Sequence, residues 1–287
     1  MRVVWQLLAL VLVSMVGGQS VNAVKDNPWL TLALGGVTVA LSILVYRWVV
    51  RRTERRTVTE AAGEGAVSTV VRGVLIGIVL FGCVIGNIAL LGYYEIDGIG
   101  SVTGAVGLAG FMAAASVTEE LMFRGVLFRV IEERGGTWWA LVPTSLLFGA
   151  WHLLNPDASL WGAVVIALSA GPMLGAAYVA TRNLWMPIGV HFGWNYAASG
   201  IFSTEVSGND TQQGLLESAT SGPTLIGGGE FGPEASLYTL VFGVLLTIGF
   251  LWLARRRGNL VPHGGRDGRD GSVDSGVTGQ FGYRVGV

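Results

Sequence analysis

The sequence predicts an all-α, polytopic membrane protein of seven to eight transmembrane helices, and three observations carry that expectation. Of its 287 residues, 51% are apolar and only 13% charged, against about 25% charged in soluble domains. Mean hydropathy is +0.57, more apolar surface than a soluble chain of this length can hide. The apolar residues also fall in runs near the roughly 18–25 residues that a spanning helix needs. A formal net charge of −1 leaves no basic field for phosphates, so no nucleic-acid partner is expected. The one cysteine, Cys83, can form no internal disulfide. In its apolar run it reads as a small packed side chain.

Seven runs read as spans: residues 29–50, 70–93, 102–130, 138–154, 160–181, 184–202 and 237–253. An eighth, residues 3–16, is short and ends in Gly17-Gly18 followed by Val21-Asn22-Ala23. Residues 1–23 therefore read either as a first transmembrane helix or as a signal segment. Glycine is abundant, 44 residues, and small residues let membrane helices approach closely, as the run Ala113-Ala114-Ala115-Ser116 can.

Arginines set the expected orientation. Arg51, Arg52, Arg55 and Arg56 follow one span, and Arg134, Arg182 and Arg255-Arg256-Arg257 follow others. Alternating the spans puts all of these on one side, expected to be the cytoplasm. The chain is thus expected to be a multi-pass protein of the cell membrane with a cytoplasmic C-terminus. The opposite side takes residues 203–236, with Glu205, Asp210, Glu217, Glu230 and Glu234 and no Lys or Arg. That segment reads as an extracytoplasmic loop. Residues 258–287, with Gly265-Arg266-Asp267-Gly268-Arg269-Asp270-Gly271, read as a disordered cytoplasmic tail. Between these lie N-terminal transmembrane helices (29–100), a core (100–202) and the last transmembrane helix (237–257).

An ionisable group inside a span is costly unless it is paired, so each one asks for a reason. The acids well inside the spans are Glu119 and Glu120, and two of the three histidines, His152 and His191, also lie in spans. On a helix, residues four apart share a face, so Glu120 stacks on Arg124 while Glu119 points elsewhere. Phe148 and His152 share a face, as do His191 and Asn195. Alone, each could be a packing or hydrogen-bonding group. Together they are the equipment for amide hydrolysis: a carboxylate to deprotonate water, imidazole to share the proton, and His and Asn donors for an oxyanion.

Glu119-Glu120-x-x-Phe123-Arg124, Phe148-x-x-x-His152 and His191-x-x-x-Asn195 resemble, in order, the three signature motifs of the CPBP intramembrane proteases. That family includes the type II CAAX prenyl endopeptidases and bacteriocin-processing and bacteriocin-immunity proteins. The resemblance covers roughly residues 100–200, making 100–202 a CPBP-like catalytic core. It implies an active site in a cavity within the bilayer and an endopeptidase acting on a membrane-associated protein or peptide. It also implies Glu119 as general base on water assisted by His152, His191 and Asn195 as the oxyanion pocket, and Glu120 and Arg124 in support. The family is called metalloprotease. The chain has no His-Glu-x-x-His, yet a set of His152, His191 and Glu119 can bind zinc, so the cofactor stays open between zinc and none.

Two other readings use the same residues. A proton-coupled transporter could employ Glu119 and His152 as a relay, although no internal repeat is visible. A noncatalytic immunity or partner protein could keep the motifs. An aspartyl intramembrane protease needs two buried Asp, which the spans lack, and the Gly-x-Ser-Gly of a serine type is absent from Ala197-Ala198-Ser199-Gly200.

Overall fold

The computed structural model describes residues 1–209 and 214–263. Asp210 and the tail expected to be disordered beyond residue 263 lie outside the described residues. Helix α1 (Arg2–Asn22) is followed by α2 (Pro28–Glu54), which Asn27 caps by accepting from the Leu30 amide and whose first turn holds Pro28. Helix α3 (Ala66–Leu90) leads to a short strand β1 (Tyr94–Ile99). Helix α4 (Val102–Glu120) runs on through a π-helical stretch, Leu121–Phe128, into α5 (Arg129–Gly135). Helix α6 (Thr137–Trp151) ends in a 3₁₀ turn, His152–Leu154. Helices α7 (Leu160–Leu168) and α8 (Ala170–Thr181) are one span bent at Ser169. Helix α9 (Trp185–Tyr196) widens into a π turn, Ala197–Ile201. Strand β2 (Leu216–Thr220), a four-residue helix α10 (Thr224–Gly227) and helix α11 (Leu237–Arg256) complete the described chain.

Six of these helices are long and apolar enough to cross a membrane. Helices α6 (15 residues) and α9 (12 residues before its π turn) fill the other two expected positions but are shorter. The molecule is a multi-pass, all-α membrane protein. Its outward side chains are apolar, including Leu8, Leu44, Trp48, Leu75, Leu146 and Ile248, all more than half exposed, as lipid contact requires. Cys83 corrects the sequence expectation: it is exposed on α3 rather than packed inside.

The abundant glycines provide the close helix packing expected of small residues. Gly73 and Gly77 of α3 face Gly189 and Gly193 of α9, and a Cβ on Gly77 would meet the Val190 carbonyl oxygen at 2.3 Å. Both pairs have the Gly-x-x-x-Gly spacing that lets membrane helices touch backbone to backbone. Helices α2 and α4 meet the same way at Gly35 and Gly110.

The arginine-rich ends gather on one side of the bundle. Arg129 binds Glu54 at 2.7 Å and Glu133 at 2.8 Å, Arg2 reaches Glu133, and Arg182 reaches Glu132. Glu60, in the turn between α2 and α3, accepts from Tyr46 and from Arg56. Burial would raise its carboxyl, but the bonds from Arg56 and Tyr46 outweigh that and hold it below the usual 4.5.

At the other end, the segment expected to be an irregular loop is built into the protein. Strand β2 pairs antiparallel with β1, with a bulge between Ile96 and Gly98. Val206, Phe231, Glu234 and Ala235 are buried. The segment's polar backbone can be buried because its hydrogen bonds are met: Asn155 Nδ2 donates to the Ser207 carbonyl at 2.7 Å, and Trp161 Nε1 to the Ala235 carbonyl at 2.8 Å. Residues 203–209 and 229–236 thus cover the end of the bundle from which His152 and Asn155 emerge.

Candidate active site

The polar residues singled out in the sequence come from three spans, and the fold brings most of them around one point. The two glutamates lie where α4 passes into its π-helical stretch, a local irregularity frequent at functional sites. As the four-residue spacing predicts, Arg124 Nη1 donates to Glu120 Oε1 at 2.7 Å. Arg124 also donates to the Gly171 carbonyl at 3.0 Å, in the first turn of α8, and its guanidinium lies 4.4 Å from the centre of the Phe148 ring. Both members of the ion pair are fully enclosed, which makes the pair costly to break.

Glu120 has a second partner. His191 Nδ1 donates to the same Oε1 at 2.9 Å, so one carboxylate oxygen ties α4 to α9. The other nitrogen, His191 Nε2, lies 3.9 Å from Glu119 Oε2. His191 therefore sits between two consecutive glutamates. The histidine that the fold sets against Glu119 is thus His191. The ring of His152 is turned to its own turn, Nδ1 donating to the Phe148 carbonyl at 2.7 Å. With a proton on Nδ1, each ring in its neutral form leaves Nε2 as a free acceptor. Glu119 Oε2 is buried with no protein hydrogen-bond partner.

The aromatic ring of Phe148 packs edge-on against both imidazoles, 4.9 Å from His152 and 5.8 Å from His191 between ring centres. It is the spacer that sets the two histidines apart. Beside them is a cavity of about 20 Å³, room for one water molecule, lined by Phe148, His152, His191, Asn195, Ser207 and Glu234 among others.

Ser207, Glu234 and Trp194 were not expected here. Glu234 Oε1 accepts from Trp194 Nε1 at 2.6 Å and Oε2 from Ser207 Oγ at 2.5 Å. Burial pushes the Glu234 carboxyl above the usual carboxylate range, against those two bonds. No local signal marks Glu234 in the sequence. It lies in a Gly-Pro-Glu-Ala stretch of an acidic loop, and only the folding-back of that loop puts it at the cavity.

Among the described residues, no group of three His, Cys, Asp or Glu side chains is gathered to hold a metal ion. Glu119 approaches His191, while His152 is held by the Phe148 carbonyl. The suggested set of His152, His191 and Glu119 is not gathered into such a group as the side chains stand.

The arrangement can bind a water among acceptors and offer donors to a carbonyl oxygen. No curated protein and no solved structure gives a significant match to the chain. A family model described as "Rce1-like: Type II CAAX prenyl endopeptidase Rce1-like" matches residues 101–197, the stretch that holds Glu119, Glu120, Arg124, His152, His191 and Asn195. Over those residues the chain is similar to the Rce1-like, type II CAAX prenyl endopeptidases, a resemblance that points to a peptidase.

Proposed function

We propose that the protein hydrolyses a peptide bond of a membrane-associated protein or peptide, with Glu119 as general base. The observation that carries this reading is the relation of Glu119 to His191. Glu119 Oε2 is buried without a protein partner, and at 3.9 Å from His191 Nε2 it is too far for a direct bond, which leaves the carboxylate free to accept from a water.

In this reading Glu119 takes a proton from water as the water oxygen bonds to the scissile carbonyl carbon. His152, its Nδ1 fixed on the Phe148 carbonyl, accepts from the same water through Nε2 and orients it. The carbonyl oxygen becomes an oxyanion. Asn195 donates to it through its amide, and His191 through Nε2 when the ring carries both protons, Nδ1 remaining on Glu120. Glu119 then passes its proton to the leaving nitrogen, the C–N bond breaks, and a carboxylic acid and an amine are released. Glu120 and Arg124 hold His191 and the helix in place. The Arg-rich end of the bundle is the cytoplasmic side, so the C-terminus lies in the cytoplasm.

Comparative mapping of membrane-protein termini in cells carrying the wild-type protein or Glu119→Gln tests the reading. Termini made by the wild type and lost in Glu119→Gln are expected. Identical sets of termini, with both proteins present in equal amount, would overturn it.

A further inference from the structure

Glu234 is a buried carboxylate that the water mechanism does not use, yet it lines the same cavity as His152, His191 and Asn195. It is delivered there by a clamped turn. Pro233–Ala235 is one turn of 3₁₀ helix. Its ends are held by Thr239 Oγ1 donating to the Pro233 carbonyl at 2.8 Å and by Trp161 Nε1 donating to the Ala235 carbonyl. Gly232 before it has φ +93°, and a Cβ there would meet the Glu205 carbonyl oxygen at 2.3 Å. The turn therefore packs backbone against backbone at Glu205.

From that seat Glu234 joins the two halves of the site. Its Oε1 holds Trp194, which lies on α9 between His191 and Asn195. Its Oε2 holds Ser207, whose carbonyl accepts from Asn155, three residues after His152. The adjoining backbone is tied as well: the Asp157 amide donates to the Gly208 carbonyl at 3.1 Å, and the Gly208 amide to the Phe231 carbonyl at 3.2 Å. No other side-chain hydrogen bond among the described residues links Trp194 to the covering segment.

We propose that Glu234 is a positioning residue of the active site. Through Trp194 and Ser207 it fixes the spacing between the His152 turn and the His191–Asn195 face of α9, and so the width of the water cavity. This rests on the hydrolytic reading above and extends it. Misplacing a catalytic group by about 1 Å can cost about 100-fold in rate, which sets the size of effect to look for.

Glutamine separates positioning from use of the charge. Its carbonyl oxygen can accept from Trp194 Nε1 while its NH₂ donates to Ser207 Oγ, so Glu234→Gln keeps both links with the serine's role reversed. The full-length variants are expressed in cells lacking the wild-type copy. The readout is the rate at which the wild-type-dependent membrane-protein termini appear, divided by the amount of folded protein in the membrane.

Glu234→Ala is expected to slow that rate about 10–100-fold per folded molecule, and Glu234→Gln to restore it to within about threefold of wild type, in the range set by positioning effects. A role in folding alone would lower abundance and leave the rate per molecule unchanged. Trp194→Phe and Ser207→Ala, each removing one link, should slow the reaction in the same direction. They serve as the test if Glu234→Ala does not accumulate.

Wild-type rate per molecule in Glu234→Ala, or in both single-link variants, would overturn the proposal. So would a Glu234→Gln as slow as Glu234→Ala, because the carboxyl would then act directly. If Glu119→Gln still made the termini, the hydrolytic reading would fail and take this proposal with it. If Glu119→Gln lost them while Glu234→Ala kept them, this proposal alone would fail.

Discussion

His191 Nδ1 donates to Glu120 Oε1 across 2.9 Å, and the same oxygen accepts from Arg124 at 2.7 Å. Glu120 is thereby a junction between two helices, while its neighbour Glu119 is left facing the free nitrogen of the same imidazole. Two consecutive glutamates in an apolar span have different work because a helix turns about 100° between them.

Removing Arg124 leaves Glu120 buried with its charge only partly compensated. Arg124→Ala is expected to destabilise the protein by about 3–5 kcal/mol, the usual result of breaking a buried pair. Thermal unfolding in lipid nanodiscs measures this, and abundance in the membrane should fall with it. Normal stability with activity alone lost would move Arg124 among the catalytic groups.

Glu119→Gln preserves shape and should fold normally, yet act at least about 100-fold more slowly, the low end for loss of a general base. His152→Ala should fall in the same class. The double variant should be little slower than either single one, because groups that act on one water do not contribute additively. Single-turnover rates of the four proteins on one substrate check this.

Asn195→Ala should lower turnover about 100- to 1000-fold if its amide meets the oxyanion, with little change in unfolding temperature. His191→Ala differs in a measurable way. It should lower both rate and stability, since it also breaks the bond to Glu120. Parallel rate and melting measurements on the two variants separate the roles.

The glycine contacts between α3 and α9 should not accept side chains. Leucine at Gly77 or Gly193 is expected to cost at least about 1–3 kcal/mol, as overpacking does, because the first added carbon already meets a carbonyl oxygen at 2.3 Å. Since α9 carries His191 and Asn195, activity should fall alongside the unfolding temperature. Gly86 of α3, where a Cβ meets nothing within 4 Å, is the control and should tolerate alanine.

Acid should loosen the Arg-rich end of the bundle first. Folding holds the Glu60 carboxyl below its ordinary 4.5. The stabilisation it gives is therefore fully present above that pH and is lost as pH falls through the lower folded value. Hydrogen exchange of residues 54–62 between about pH 6 and about pH 3 should show that loss. Glu60→Gln should flatten the pH dependence.

In a Cys83→Ala background, Arg52→Cys and Arg255→Cys should react with a membrane-impermeant thiol reagent only after permeabilisation, and Ile99→Cys in intact cells. All three positions are exposed, so accessibility reports sidedness. Labelling in the reverse pattern would invert the assigned topology.

The sequence by itself determined the membrane character, the order of the spans, the Glu120–Arg124 pair and the family resemblance. Each of these is written in local pattern: length of apolar runs, four-residue spacing, short ordered motifs. Only the tertiary structure decided which histidine faces Glu119, because the rotation of α9 against α4 is set by side-chain packing such as that of Phe148 and by glycines that admit α3. It alone decided that residues 203–236 return over the site and bring Glu234 and Ser207 to the cavity. Glycine, serine and acidic residues mark a loop as polar and irregular. Where such a loop lies depends on long-range hydrogen bonds, from Asn155 to Ser207 and from Trp161 to Ala235. Those partners are 52 and 74 residues apart, and a period of two or three-and-a-half residues carries no information over that distance.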